Sequence, residues 1–201
     1  MFLDQSSAKT AGTLLFIGGV QFSILMIVAE AVFPEYSVSG NYISDLGVWS
    51  RPSAVIFNSS SIVFGLFVLL GAYYVHRAFK MRGFGVLLGL TGLGSLGVGI
   101  FPEDTFLVNG IPVLHSVFAL FAFIFGGIAA ISGYRITKTP FRYLSALLGL
   151  ASLVALGLFF STEQLGYLGL GVGGMERMIV YSTLMWIIGL GGYLQSATDE
   201  K

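Results

Sequence analysis

Cysteine is absent from the 201 residues, which removes disulfides, thiolate metal ligands, cysteine nucleophiles and palmitoyl anchors together. Charge is scarce: 10% of the residues are Asp, Glu, Lys or Arg, against about 25% in a soluble domain. These charges balance to a formal net charge of zero, so no bulk field draws the chain to nucleic acid, and no such partner is expected. The basic start of a secretory signal is missing too. Met1 to Lys9 holds Asp4 and one lysine, and no small-residue cleavage site follows the first apolar run, which therefore reads as a retained helix.

Apolar sequence is what the chain has in abundance. Hydrophobic residues make up 55% of it and the mean hydropathy is +0.87. About 20 apolar residues cross a bilayer, and six segments qualify: Thr10–Phe33, Ala54–His76, Gly83–Phe101, Pro112–Tyr134, Phe141–Ser161 and Gly174–Gln195. In hydrocarbon every backbone group must be bonded internally, so these runs are helices. The expected fold is an all-α integral membrane bundle of six transmembrane helices, a single domain over residues 1–201. The 28 glycines suit close helix packing in lipid, within the bundle or against a second copy in a homo-oligomer.

Lys9, Arg77, Lys80, Arg82, Arg135, Lys138, Arg142 and Lys201 fall on one side of six spans, and only Arg51 and Arg177 on the other. The positive-inside rule then places both termini in the cytoplasm. The acids show the opposite bias: Glu35, Asp45, Glu103, Asp104, Glu163 and Glu176 gather at the outer boundary, with Glu30 just inside the membrane. A short echo, Phe33-Pro34-Glu35 and Phe101-Pro102-Glu103, follows the first and third spans, with a looser one at Phe160 to Glu163, and suggests three stacked helical hairpins.

The candidate site is built from this outer polar layer. Asn41 to Ser53 is the most polar, turn-rich stretch, and Asp45 stands in it between Ser44 and the turn glycine Gly47. Asp45 is either a metal ligand, general base or headgroup contact, or an aspartate bonded to its own turn. Asn41 and Ser44 are turn formers that also reach the same layer. His115 is the one histidine away from the basic rim, suited to ligating metal, shuttling protons or bonding a neighbouring helix. Asp104, eleven positions earlier, comes within reach of it. Asp45, Asp104 and His115 are thus the set that would hold a divalent metal such as zinc. Glu176 opens the sixth helix, where a carboxylate complements the macrodipole, and Arg177 beside it either neutralises the acids or holds a phosphate. Glu30 is an intramembrane carboxylate that needs a proton, a partner or a polar cavity. Asn58 begins the second helix at the same level. The run Gly166 to Gly174 lacks the lysine and strand of a phosphate loop.

Tyr42-Ile43-Ser44-Asp45-Leu46-Gly47, followed by Arg51-Pro52 and Phe57, resembles the first outer loop of DRAM-type proteins (damage-regulated autophagy modulators). The Golgi factor that remodels GPI-anchor lipids belongs to the same six-helix group. Leu114-His115-Ser116 with Phe123 resembles that group's fourth-helix pattern, and Met175-Glu176-Arg177 its last-helix start. The chain as a whole is most similar to a prokaryotic six-helix family of unknown function. The resemblance implies a prokaryotic plasma-membrane protein with an outward polar site of Asp45, His115 and Glu176, acting on lipid. The short loops and missing cysteine separate it from the eukaryotic members.

The expected function is therefore binding or modification of a membrane lipid at the outer headgroup level, with Asp45, His115 and Glu176 as the core. Arg177, Ser44, Asn41, Asn58 and Glu30 would contact the lipid. Hydrolysis of an ester there would use metal-bound or base-activated water. The competing expectations are a small proton-coupled transporter, which needs a polar path past the midplane, and a docking protein whose acids point outward and apart.

Overall fold

The computed structural model describes residues 4–196; Lys201, counted with the basic rim, lies outside them. Its helices are α1 (Gln5–Val32), α2 (Ala54–Phe79), α3 (Arg82–Ile100), α4 (Val113–Gly133), α5 (Phe141–Ser161) and α6 (Gly171–Ser196). All six are long and apolar enough to cross a membrane, so the chain is an all-α integral membrane protein. The α5 limits coincide with those expected from sequence. α1 starts a turn before Thr10 because Asp4 caps it, Oδ1 accepting from the Ser7 N–H at 3.0 Å. α4 starts at Val113, because Ile111–Pro112 (β2) pairs antiparallel with Leu107–Val108 (β1) in a small hairpin. Asn109 and Gly110 turn it, both left-handed, with φ of 52° and 78°.

Each helix packs on its neighbours in sequence, and α6 closes the ring onto α1. α4 also touches α6 directly, which leaves α5 lying outside the seam between them. Small side chains set these contacts. A Cβ on Gly65 would collide with the Leu96 backbone, one on Gly94 with Ala122 N, and one on Gly12 would come 2.8 Å from Gly191 O. The glycines of α3 from Gly92 to Gly99 are thereby used against α2 and α4 of the same chain. Hydroxyls fasten α5: Ser145 Oγ donates to Ala130 O and accepts from Trp186 Nε1, both at 2.7 Å, and Ser152 Oγ donates to Ile179 O at 3.1 Å.

The end carrying both termini, with the 80–81 and 134–140 connections, is called proximal here, and the other end distal. Fully buried Leu15, Val68, Leu88, Trp186 and Ile187 fill the proximal half of the bundle. The distal half is covered by the long connection between α1 and α2, which holds a single 3-10 turn, Ser44–Gly47. Ile43 and Leu46 of this connection are buried in the same core as the helices, so it is a lid and not a free loop.

Two alanine substitutions separate packing glycines from idle ones. Gly94→Ala forces the α3–α4 contact apart and is expected to cost about 1–3 kcal/mol, the usual range for overpacking. Gly157→Ala meets nothing within 4 Å and is expected to be neutral or slightly stabilising. Thermal unfolding of the two variants in detergent checks the contrast.

Candidate functional site

The lid is held mainly through its backbone. Glu176 Oε2 of α6 accepts from the Ile43 N–H at 2.5 Å. Asp104 Oδ2 accepts from the Trp49 N–H at 2.9 Å, and Asn58 Nδ2 of α2 donates to Gly47 O at 2.7 Å. Gly173 N–H at the start of α6 donates to Ser39 O at 3.0 Å. Only glycine fits at Gly47, because a Cβ there would collide with Asn58 Oδ1. Close approach, not a left-handed turn, is what that glycine provides.

Asp45, proposed from sequence as a catalytic or metal-binding group, serves its own turn. Its Oδ2 accepts from Asn41 Nδ2 and from the Tyr42 N–H, both at 2.9 Å. Asn41 in turn accepts from the Ser37 N–H through Oδ1 at 3.0 Å. Asp45, Asp104 and His115 are engaged at three separate places: the turn, the Trp49 amide and the α3 terminus. Among the described residues no group of three or more His, Asp or Glu side chains is placed to hold a metal ion. The expected zinc set is therefore not assembled by this fold.

Arg177, expected to hold a phosphate, is already occupied. Its Nη2 donates to Glu30 Oε1 at 2.5 Å and to Tyr36 Oη at 2.6 Å; its Nη1 donates to Val38 O at 2.8 Å and Gly173 O at 3.0 Å. The guanidinium ties α1, the lid and α6 at one point and neutralises the intramembrane carboxylate of Glu30. Burial raises the Tyr36 phenol to about 12, so it stays protonated and donates to Tyr42 O at 3.0 Å.

A residue the sequence reading did not nominate joins the site. Glu103, in the connection after α3, accepts from Ser44 Oγ through Oε1 at 2.6 Å, and the same oxygen lies 3.6 Å from His115 Nε2. His115 Nδ1 sits 3.0 Å from Phe101 O. A carbonyl can only accept, so Nδ1 carries the proton, and in the neutral ring Nε2 is left with a lone pair facing Glu103. Burial pushes the Glu103 carboxyl above its usual range; the Ser44 hydroxyl offsets part of this, and the neighbouring Asp45 charge adds to it. The signal for Glu103 was present in the Phe101-Pro102-Glu103 echo. The equivalent Glu35 is exposed, so the echo does not carry a shared role.

Beneath the lid lies a cavity of about 80 Å³. Its distal end is formed by Ser44, His115 and Glu176, and its walls by Phe22, Phe57, Phe64 and Phe123. It reaches Thr91 and Leu184, near the middles of α3 and α6. Helices α1, α2, α3, α4 and α6 contribute, and α5 does not. The hydroxyls along its depth are spent on the protein: Ser61 Oγ donates to Ser95 O at 2.8 Å, Ser95 Oγ to Thr91 O at 3.2 Å, and Thr91 Oγ1 to Leu87 O at 2.9 Å. Thr183 Oγ1 is paired with Ser152 Oγ at 3.1 Å. Toward the cavity the deep walls are thus apolar. At its distal end, Glu176 Oε1 and His115 Nε2 make no hydrogen bond to another described residue.

Glu30→Gln leaves the buried Arg177 without its counter-charge and is expected to cost about 3 kcal/mol, the lower figure for breaking a buried pair; denaturant unfolding in detergent measures it. For Glu103 the folded state binds the proton more tightly than the unfolded state. Its contribution to stability is present below the ordinary value of 4.5 and is lost as pH rises through the higher folded value. Glu103→Gln should flatten that slope in the unfolding temperature, and Ser44→Ala should move it to higher pH.

Residues 16–193 match the model of a family described as protein of unknown function (DUF998), and the chain belongs to that family. Nothing among the curated proteins or the solved structures matches it.

Proposed function

We propose that this DUF998 member binds a lipid at the cavity under its distal lid, with a short apolar segment of one chain among the phenylalanines and a hydroxyl head at the mouth. The shape and chemistry of the cavity carry the proposal. Its deep hydroxyls have no donor to spare, and its mouth offers two polar atoms not hydrogen-bonded within the protein, Glu176 Oε1 and His115 Nε2. Such a mouth favours a hydroxyl head, which can both donate and accept. It disfavours a phosphate, because Arg177, the nearby cation, is spent on Glu30 and the lid. The resemblance to lipid-remodelling proteins points the same way, as does a lid on the side that the basic residues assign to the exterior.

Ester hydrolysis is the stricter form of the proposal. The lone pair on His115 Nε2 would take a proton from water as the water oxygen attacks the ester carbonyl. It would return that proton to the alkoxide as the ester C–O bond breaks, with Glu103 beside it stabilising the imidazolium in between. A carrier is less well supported, since the proximal half is closed by Leu15, Val68, Leu88 and Trp186. Docking through outward acids is also weakened, because Glu176 and Glu103 turn inward to the lid.

An empty apolar cavity of this size costs about 2 kcal/mol at ~24 cal/mol per Å³, so filling it should be favourable. Native mass spectrometry of the full chain, extracted gently from membranes, tests the proposal. Wild type is expected to retain a single-chain or neutral lipid. Ala122→Leu, on the cavity wall, should abolish retention of that single-chain or neutral lipid, and Glu176→Gln should weaken it. Equal adducts of that lipid in wild type and Ala122→Leu would overturn the proposal.

A further inference from the structure

A second recess lies at the opposite end of the molecule. Gly65 and Gly92 hold α2 and α3 in backbone contact at mid-bundle. Toward their proximal ends an open groove of about 340 Å³ runs along the surface of the seam between them. Leu69, Ala72, Gly85 and Gly89 line its length, and Tyr73 and Val86, both largely exposed, stand along it.

The end of this groove is basic. His76 and Arg82 line it, and no acid does. Arg82 is exposed and forms no ion pair or hydrogen bond among the described residues, whereas its neighbour Arg77 lies 3.7 Å from Asp4. The His76 side chain makes no hydrogen bond there either, and its Nδ1 is covered without a partner. From Arg82 to Gly89 the groove runs seven residues along α3, roughly 10 Å at 1.5 Å per residue. A cation at the interface, followed by an apolar trough, complements an anionic head with an attached hydrocarbon chain.

We propose that the α2–α3 groove binds an anionic phospholipid of the proximal leaflet. Its phosphate lies on the Arg82 guanidinium beside His76, and one acyl chain lies over Gly85 and Gly89. Basic pockets between helices at the side where lysine and arginine collect take such heads, and the guanidinium fork matches two phosphate oxygens. A free phosphate would use the cation and leave the trough empty. The site is separate from the distal cavity and differs from it in preference, since the cation at the distal end, Arg177, is engaged by Glu30 and the lid and this one is free.

The test uses the full chain carrying Ala122→Leu, so that lipid in the distal cavity does not contribute. In an equimolar mixture of phosphatidylglycerol and phosphatidylcholine, native mass spectrometry should show phosphatidylglycerol retained over phosphatidylcholine by about fivefold, the factor for one cationic contact with anionic lipid. Adding Arg82→Gln should bring that ratio to one. Adding Gly89→Leu should remove the bound lipid, because a Cβ there meets only Ala72 Cβ at 3.9 Å and the rest of the side chain enters the groove. Circular dichroism should show unchanged helix content in both. No preference in the parent protein, a preference that survives both substitutions, or displacement of the lipid by inorganic phosphate would each overturn the proposal.

Discussion

The guanidinium of Arg177 is the point on which the distal half depends. A charge inside a membrane boundary must be matched there, and four acceptors from three parts of the chain match it: Glu30 in α1, Tyr36 and Val38 in the lid, and Gly173 in α6. With that node in place, α6 begins against the lid, close enough for Glu176 to reach the Ile43 amide. The lid in turn lies over the space between the helices. Most of the polar residues at this level hold the lid in position, and few are left to meet a ligand.

Those few define the chemistry of the cavity. Hydroxyls that would make a polar conduit are instead bonded to carbonyls of their own or adjacent helices, which is how serine and threonine are tolerated in hydrocarbon. What remains facing the space is aromatic and aliphatic, with a carboxylate oxygen and an imidazole nitrogen at one end. A molecule that fits must be as one-sided as the cavity is. The α2–α3 groove repeats this amphipathic logic at the other membrane face with the charge reversed.

The helices were legible in the sequence because a span in lipid depends on a run of apolar residues, a local property. Their ends were legible to about a turn, and α1 and α4 departed where a cap at Asp4 and a hairpin at Asn109-Gly110 intervened. The polar layer was legible as a layer: Asp45, Asp104, His115, Glu176 and Arg177 do lie at one end of the bundle. Which of them meet one another was not. Asp45 satisfies its own turn, while Glu103, the third residue of the connection after α3, crosses to Ser44 and His115. Such pairings depend on how far each helix is rotated, and apolar spans with no strong one-sided pattern do not disclose that. The contacts of Gly92 to Gly99 in α3 are likewise made with neighbours distant in sequence, in α2 and α4.

The lid is gripped at Val38 O, Ser39 O, Ile43 N, Gly47 O and Trp49 N, all of them main-chain atoms. The side chains that also help to keep it closed are buried Ile43 and Leu46, the Asn41–Asp45 turn, and the Tyr36 and Ser44 hydroxyls bonded to Arg177 and Glu103. Closure and selectivity are encoded largely in separate positions, with Glu176 serving both. The cavity walls can be re-lined for a different guest, and the lid's outer face altered for different surroundings, without either change loosening the cover. The architecture is in that sense modular across a few ångströms, with the gripping residues as its fixed part.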